Sequence, residues 1–339
     1  MATTSTRPSV PPITFDALAA RWRAGFHAAG AALAAAGGGS LPPEEVHARA
    51  VRLAAEVGPT EELLKALARD WQTSTRFVHL LVTPSEARRA LGLPPSVTAC
   101  VFNLDGVLIG SAAIHAAAWT ETFDEFISNR VERTGGRFIP FNPRVDYPEL
   151  IHGRPRLDGV RGFLASRGIR LPEGDPGDTP GAETVHGLAN RKNCALLQRL
   201  DEHGVTAYEG SRSYLELAHE AGVHCAVVSA SANTGTILER SGLADLIEER
   251  VDGNTMRTER LRVKPAPDTL LAACRKLGVE PRRAAAFETT RAGVAAGRAA
   301  GFDLIVGVDG GDNADGLRAE GADFVITGVG ELMERTLAA

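Results

Sequence analysis

The feature that most constrains this chain is an alternation that begins after Pro94-Pro95. VTACVF (97–102), HCAVVS (224–229), AAAF (284–287), DLIVGV (303–308) and DFVI (323–326) are short apolar runs. Segments of helical spacing, 234–241, 267–277, 293–300 and 311–319, separate the last four. Strand–helix alternation of this kind predicts an α/β fold, a parallel sheet with helices on both faces. Ligands of such sheets bind beyond the carboxyl ends of the strands. The polar residues that close the runs are therefore where chemistry is expected.

Between the first and second runs the alternation stops. Residues 113–130, 157–168 and 188–203 have helical pattern, and the Pro/Gly-rich LPEGDPGDTPGAE (171–183) lies among them. An insertion just after the first strand is well placed to close over a site. Upstream, residues 1–12 are polar and contain Pro, which predicts a mobile tail. Residues 13–93 read as a helical extension, interrupted by GGGS (37–40), with no chemical motif. Packing or homodimerisation through these helices is the expected role.

Composition excludes several classes. The 339 residues fit two or three compact units and carry a net charge of −5, which gives no general attraction to nucleic acid or anionic membrane. No apolar run approaches the ~20 residues that span a bilayer. The N-terminus has no secretory pattern. Cys100, Cys194, Cys225 and Cys274 form no C-x-x-C pair and lie at no zinc spacing; Cys100 and Cys225 sit in apolar runs and read as buried small hydrophobes. A reducing, cytoplasmic location is expected. Only four of the 37 Lys and Arg residues are lysines (Lys65, Lys192, Lys264 and Lys276), so a Lys inside a motif is informative.

Four motifs close the runs, and each has an ordinary reading. Asn103-Leu104-Asp105-Gly106 puts two polar side chains two residues apart in an extended loop, yet Asn, Asp and Gly are also common turn formers. Ser229-Ala230-Ser231, with Asn233, offers hydroxyls and backbone N–H groups before a helix, or a simple helix cap. In Lys264-Pro265-Ala266-Pro267-Asp268, Pro267 and Asp268 suit a first helical turn, with Lys264 just before it. Glu288-Thr289, followed by Gly293, taken alone would be a surface acid.

In order and spacing the four motifs resemble those of the haloacid dehalogenase superfamily, over about residues 97–336. The resemblance implies a Rossmann-like core (97–112 plus 208–336) with an inserted α-helical cap (113–207), a small phosphorylated substrate and Mg2+. In such phosphotransferases the residue at position 103 is an Asp that attacks phosphorus, and Asp105 is the acid/base. Ser229, Ala230, Ser231 and Asn233 would hold phosphate, and Lys264 would neutralise phosphate and nucleophile. The metal would be held by position 103, the Asp105 backbone carbonyl, Glu288 and position 289.

The insertion is similar to that of the β-phosphoglucomutase-like branch. Ser111, His115 and Trp119 look like its Thr/Ser, His and Trp. His152-Gly153-Arg154-Pro155-Arg156 matches its loop with a Gly and, three residues later, an Arg; Arg156 would grip a non-transferring phosphate. Asn190-Arg191-Lys192-Asn193 matches its Arg-Lys-Asn segment, and Lys192 would contact the sugar or its phosphate. Each also has a plain alternative: His115 as a satisfied helix residue, Trp119 as core, Arg156 and Lys192 as solvated charges.

Departures bear directly on activity. Gly110 and Ala232 stand where the family has Asp and Lys, Asn103 removes the nucleophile, and Thr289 removes a metal ligand. A neutral carboxamide is a poor nucleophile and a weak magnesium ligand. The expectations are a phosphatase or phosphomutase-like site on a small phosphorylated sugar, impaired at its covalent step. The alternatives are a ligand-binding protein without turnover, or acid/base chemistry through Asp105 alone.

Overall fold

The computed structural model describes residues 88, 91–311 and 313–333. The tail at 1–12, nearly all of the helical extension at 13–93 and the dimer contact expected of it lie outside these residues.

Six strands form one parallel sheet: β1 (Ala99–Asn103), β2 (His224–Val228), β3 (Glu249–Val251), β4 (Ala284–Glu288), β5 (Leu304–Val308) and β6 (Phe324–Ile326). Their order is β3-β2-β1-β4-β5-β6. All five apolar runs are strands. The sixth strand, β3, is a three-residue edge whose Glu249 and Arg250 give it no apolar run to read. The central strand β1 pairs on both sides, with Asn103 opposite Val228 and Phe102 opposite Phe287. That register sets the carboxyl ends of β1, β2 and β4 side by side, so Asn103, Ser229 and Glu288 share one rim. Every residue of β4 is buried, as expected of an inner strand covered on both faces.

Helices α1 (Ala112–Thr134), α2 (Arg156–Ser166) and α3 (Val185–His203) form the insertion. Helices α4 (Ser211–Glu220), α5 (Thr234–Arg240), α6 (Gly253–Thr258), α7 (Asp268–Leu277), α8 (Arg291–Ala300) and α9 (Ala314–Glu320) follow. Helix α3 starts three residues before the predicted 188 because Thr184 Oγ1 accepts the Gly187 N–H at 2.9 Å, a side-chain cap. Helices α4 and α6 were not legible as segments.

Two hydrophobic cores form. One lies on the sheet, around Val101, Val228, Ala286, Val294 and Ile305. The other is made only of insertion residues, including Trp119, Phe123, Phe163 and Leu188, with the Phe123 and Phe163 rings stacked at 3.8 Å between centroids. Residues 96–215 and 223–329 belong to one compact unit, which holds the whole sheet and the insertion. In the other unit Arg88 Nε donates to the Ala221 carbonyl at 2.9 Å. Cys100 and Cys225 are buried, as their apolar surroundings predict. Among the described residues no helix is long and apolar enough to cross a membrane.

Candidate active site

The loop leaving β1 turns at Gly106, whose φ of +83° favours glycine. A Cβ there would also stand 3.0 Å from Thr289 Cγ2. Asn-x-Asp-Gly is thus a turn, and its side chains also converge on the rim. Asn103 Nδ2 donates to the Asp105 carbonyl at 2.7 Å and to Thr289 Oγ1 at 3.3 Å. Asn103 Oδ1 accepts from Lys264 Nζ at 3.4 Å. The Asp105 carboxylate is held from two sides: Ser111 Oγ donates to one oxygen and Ser229 Oγ to the other, the second at 3.0 Å. Ser229 Oγ also accepts the Ser231 N–H at 3.2 Å, and Ser231 Oγ accepts the Asn233 N–H at 3.2 Å. The cap position of α5 is Asn233, whose side chain makes no capping bond. The simple helix-cap reading of Ser229 therefore fails, because its hydroxyl serves Asp105.

Behind Asn103, Lys264 Nζ pairs with Glu288 Oε1 at 2.6 Å. Glu288 is 1% exposed, so the surface reading of this acid fails as well. Burial pushes its pKa up, against the opposing pull of Lys264. Room for the carboxylate comes from Gly293 in the first turn of α8. A Cβ at that position would overlap Glu288 Oε2 and lie 2.6 Å from its Cδ. Thr290 caps the same helix, its Oγ1 accepting the Gly293 N–H at 3.0 Å.

The insertion supplies the facing wall. Lys192 Nζ lies 2.9 Å from His115 Nδ1 and 5.2 Å from the Trp119 ring centroid. Lys192 is only 3% exposed and is no solvated charge. Desolvation, then the nearby Arg156, lowers its pKa to about 7. Burial, then Lys192, lowers His115 to about 3, which leaves the imidazole neutral. Trp119 stacks on Phe123 at 4.9 Å in the insertion core, as its plain reading has it, and also lines the cleft. Asn193 Oδ1 accepts from Arg156 and, at 2.8 Å, from Asn233 Nδ2, a bond between the insertion and the loop after β2.

The cleft between these walls holds about 890 Å3, counting the part open to solvent. Its lining includes Asn103, Asp105, His115, Trp119, Arg156, Lys192, Ser229, Ala230, Ser231, Asn233 and Lys264. Of the residues singled out in the sequence, Glu288 and Thr289 stand behind the lining and reach it through Lys264 and Asn103. Sequence reasoning did not single out Tyr147, and assigned no role to His152 and Arg154 within the His-Gly-Arg-Pro-Arg loop. Tyr147 opens a π-helical turn, Tyr147–Ile151, and no motif signals it.

The magnesium implied by the family would need Asn103, the Asp105 carbonyl, Glu288 and position 289 as ligands. Asn103 turns its amide N–H2, not an oxygen, toward the Asp105 carbonyl and Thr289. Reversing the carboxamide would set oxygen against the Asp105 carbonyl and N–H2 against the Lys264 ammonium. The Asp105 carboxylate is taken by Ser111 and Ser229, which leaves Glu288, whose buried oxygens have no hydrogen-bond partner beyond the ion pair with Lys264. Magnesium is bound by oxygen atoms, commonly one or two carboxylates among them. As they stand, these residues do not fit it.

The sequence profile of the haloacid dehalogenase-like hydrolases matches residues 97–301. A β-phosphoglucomutase of Mycobacterium bovis is 48% identical over 253 residues, 74% of this chain and 97% of that protein. The β-phosphoglucomutase of Bacillus subtilis is 29% identical over 69% of this chain and 91% of its own length. Among solved structures, the β-phosphoglucomutase of Clostridium difficile superposes with a TM-score of 0.56 at 22% identity, covering 71% of this chain and 97% of that one. Motif order, sheet order and these likenesses agree: the chain belongs to the haloacid dehalogenase-like hydrolases, in their β-phosphoglucomutase-like branch.

Proposed function

We propose that this protein binds a small phosphorylated sugar in a β-phosphoglucomutase-like site, and that Asn103 blocks covalent phosphoryl transfer there. The observation that carries this reading is the opposition of two walls. Asp105, held by Ser111 and Ser229, faces Lys192, His115 and Arg156 across one cleft. The 48% identity to a β-phosphoglucomutase supports a sugar phosphate as ligand.

The roles follow from chemistry. Asp105 is positioned to give a proton to a leaving oxygen and to take one from an incoming hydroxyl. Ser231, Asn233 and neighbouring backbone groups hold the phosphoryl group, and Lys264 faces its charge. Arg156 and Lys192 take the remote phosphate or the sugar. The insertion, residues 113–207, closes over the cleft and excludes water. With Asp at position 103, an O–P bond would form there as the ester P–O bond broke, the departing oxygen taking a proton from Asp105. The uncharged carboxamide oxygen of Asn103 does not make that attack. Thr289 favours a second reading, ligand binding without turnover, because it removes a further acid from the same site. A cytoplasmic location and a dimer through residues 13–93 complete the proposal.

Phosphate release from a panel of sugar phosphates, with and without Mg2+, tests the assignment. Turnover by Asn103→Asp alone identifies Asn103 as the block. Release by the unaltered chain at the rate of the variant would refute it.

A further inference from the structure

We infer that Asn103 and Lys264 together take the place of a divalent cation, so that this site binds a phosphate group without metal. The inference rests on the reading of the cleft as a phosphate site. The first support is hydrogen-bond polarity. A carboxamide nitrogen carries two N–H groups, and Asn103 Nδ2 has two acceptors, the Asp105 carbonyl at 2.7 Å and Thr289 Oγ1 at 3.3 Å. The carboxamide oxygen faces Lys264 Nζ at 3.4 Å. Every polar atom of Asn103 is thereby engaged, and the oxygens a cation would need, the Asp105 carbonyl and Thr289 Oγ1, already accept from an amide.

The second support is charge. Lys264 and Glu288 form a 2.6 Å pair, and Asn103 and Thr289 are neutral, so these four residues sum to zero. Glu288 is buried beneath this group and closed off by α8. The remaining negative charge of the site, on the Asp105 carboxylate, is held by the Ser111 and Ser229 hydroxyls. The groups facing the cleft from the insertion, Lys192 and Arg156, bring positive charge to an anion without metal.

The test is calorimetric titration of inorganic phosphate into the full chain, in Mg2+ or in EDTA. The expected result is an affinity that agrees within about threefold between the two conditions, while Mg2+ alone gives no heat of binding. In Asn103→Asp/Thr289→Asp, phosphate binding should weaken by about tenfold or more in EDTA, because two carboxylates then repel the anion. Asn103→Asp alone, near-isosteric, should shift in the same direction and guards against misfolding of the double variant. A loss beyond about threefold on adding EDTA to the unaltered chain overturns this inference and leaves the phosphate-site reading standing. No phosphate binding in either condition overturns both. Metal-independent binding by both variants overturns the assignment to Asn103 and Lys264.

Discussion

At Lys192 two effects compete. Desolvation and Arg156 favour the neutral amine, while Asp105 favours the ammonium, and the balance is a pKa of about 7. A bound anion adds to the second side. The sign follows: below about 7 the ammonium is present and attracts a phosphorylated ligand, and above it the charge is lost. Affinity for a sugar phosphate should therefore decline as pH rises from 7 to 9, a range in which the ligand stays a dianion. His115 adds no step there, because its pKa of about 3 keeps it neutral throughout. Calorimetry at several pH values checks this. Lys192→Gln should bind more weakly at pH 7 and lose the decline; a decline of the same size in that variant would assign it elsewhere. Lys192 was legible because lysine is rare in this chain and this one falls in a recognised segment. Tyr147 was not legible, because a π-helical turn brings it to the cleft by geometry alone.

Among the elements, α8 is tied to the site by one missing side chain. Glu288 ends β4, and its carboxylate occupies the space a Cβ would fill at Gly293. Overpacking in Gly293→Ala should cost about 2–3 kcal/mol, because the added Cβ meets the buried Glu288 carboxylate. Set against the gain of about 1 kcal/mol from placing Ala in a helix, the net destabilisation is about 1–2 kcal/mol. A urea unfolding midpoint equal to that of the parent would show that Glu288 moves aside without strain. On the other wall, the Asn193–Asn233 bond joins α3 to the loop before α5 at 2.8 Å. Asn233→Ala should weaken sugar-phosphate binding about three- to tenfold, the size of one hydrogen bond. An unchanged Kd would remove this bond from any closing role. The spacing of the Ser229 and Asn233 motif put both at the rim. The contact with Asn193 was hidden, because it depends on how the insertion lies against the loop after β2.

For the molecule as a whole, the sheet could be read from the sequence and its edge could not. Inner strands such as β1 and β4 are buried on both faces and show as apolar runs, whereas β3 buries little beyond Val251. Central position is also what makes the site: β1 pairs with β2 and β4, and their ends carry Asn103, Ser229 and Glu288 together. The whole account then turns on one claim, that a phosphotransferase-like scaffold is disarmed at position 103, with Thr289 a further loss beside it. The most direct measurement is phosphoenzyme formation after incubation with a labelled sugar phosphate and Mg2+. The parent chain and Asn103→Asp/Thr289→Asp would be quenched in acid and assayed for protein-bound label that hydroxylamine removes, as it does from an acyl phosphate. The account predicts label in the double variant and none in the parent. Equal labelling of the parent would contradict it, because Asn103 has no carboxylate with which to form that bond.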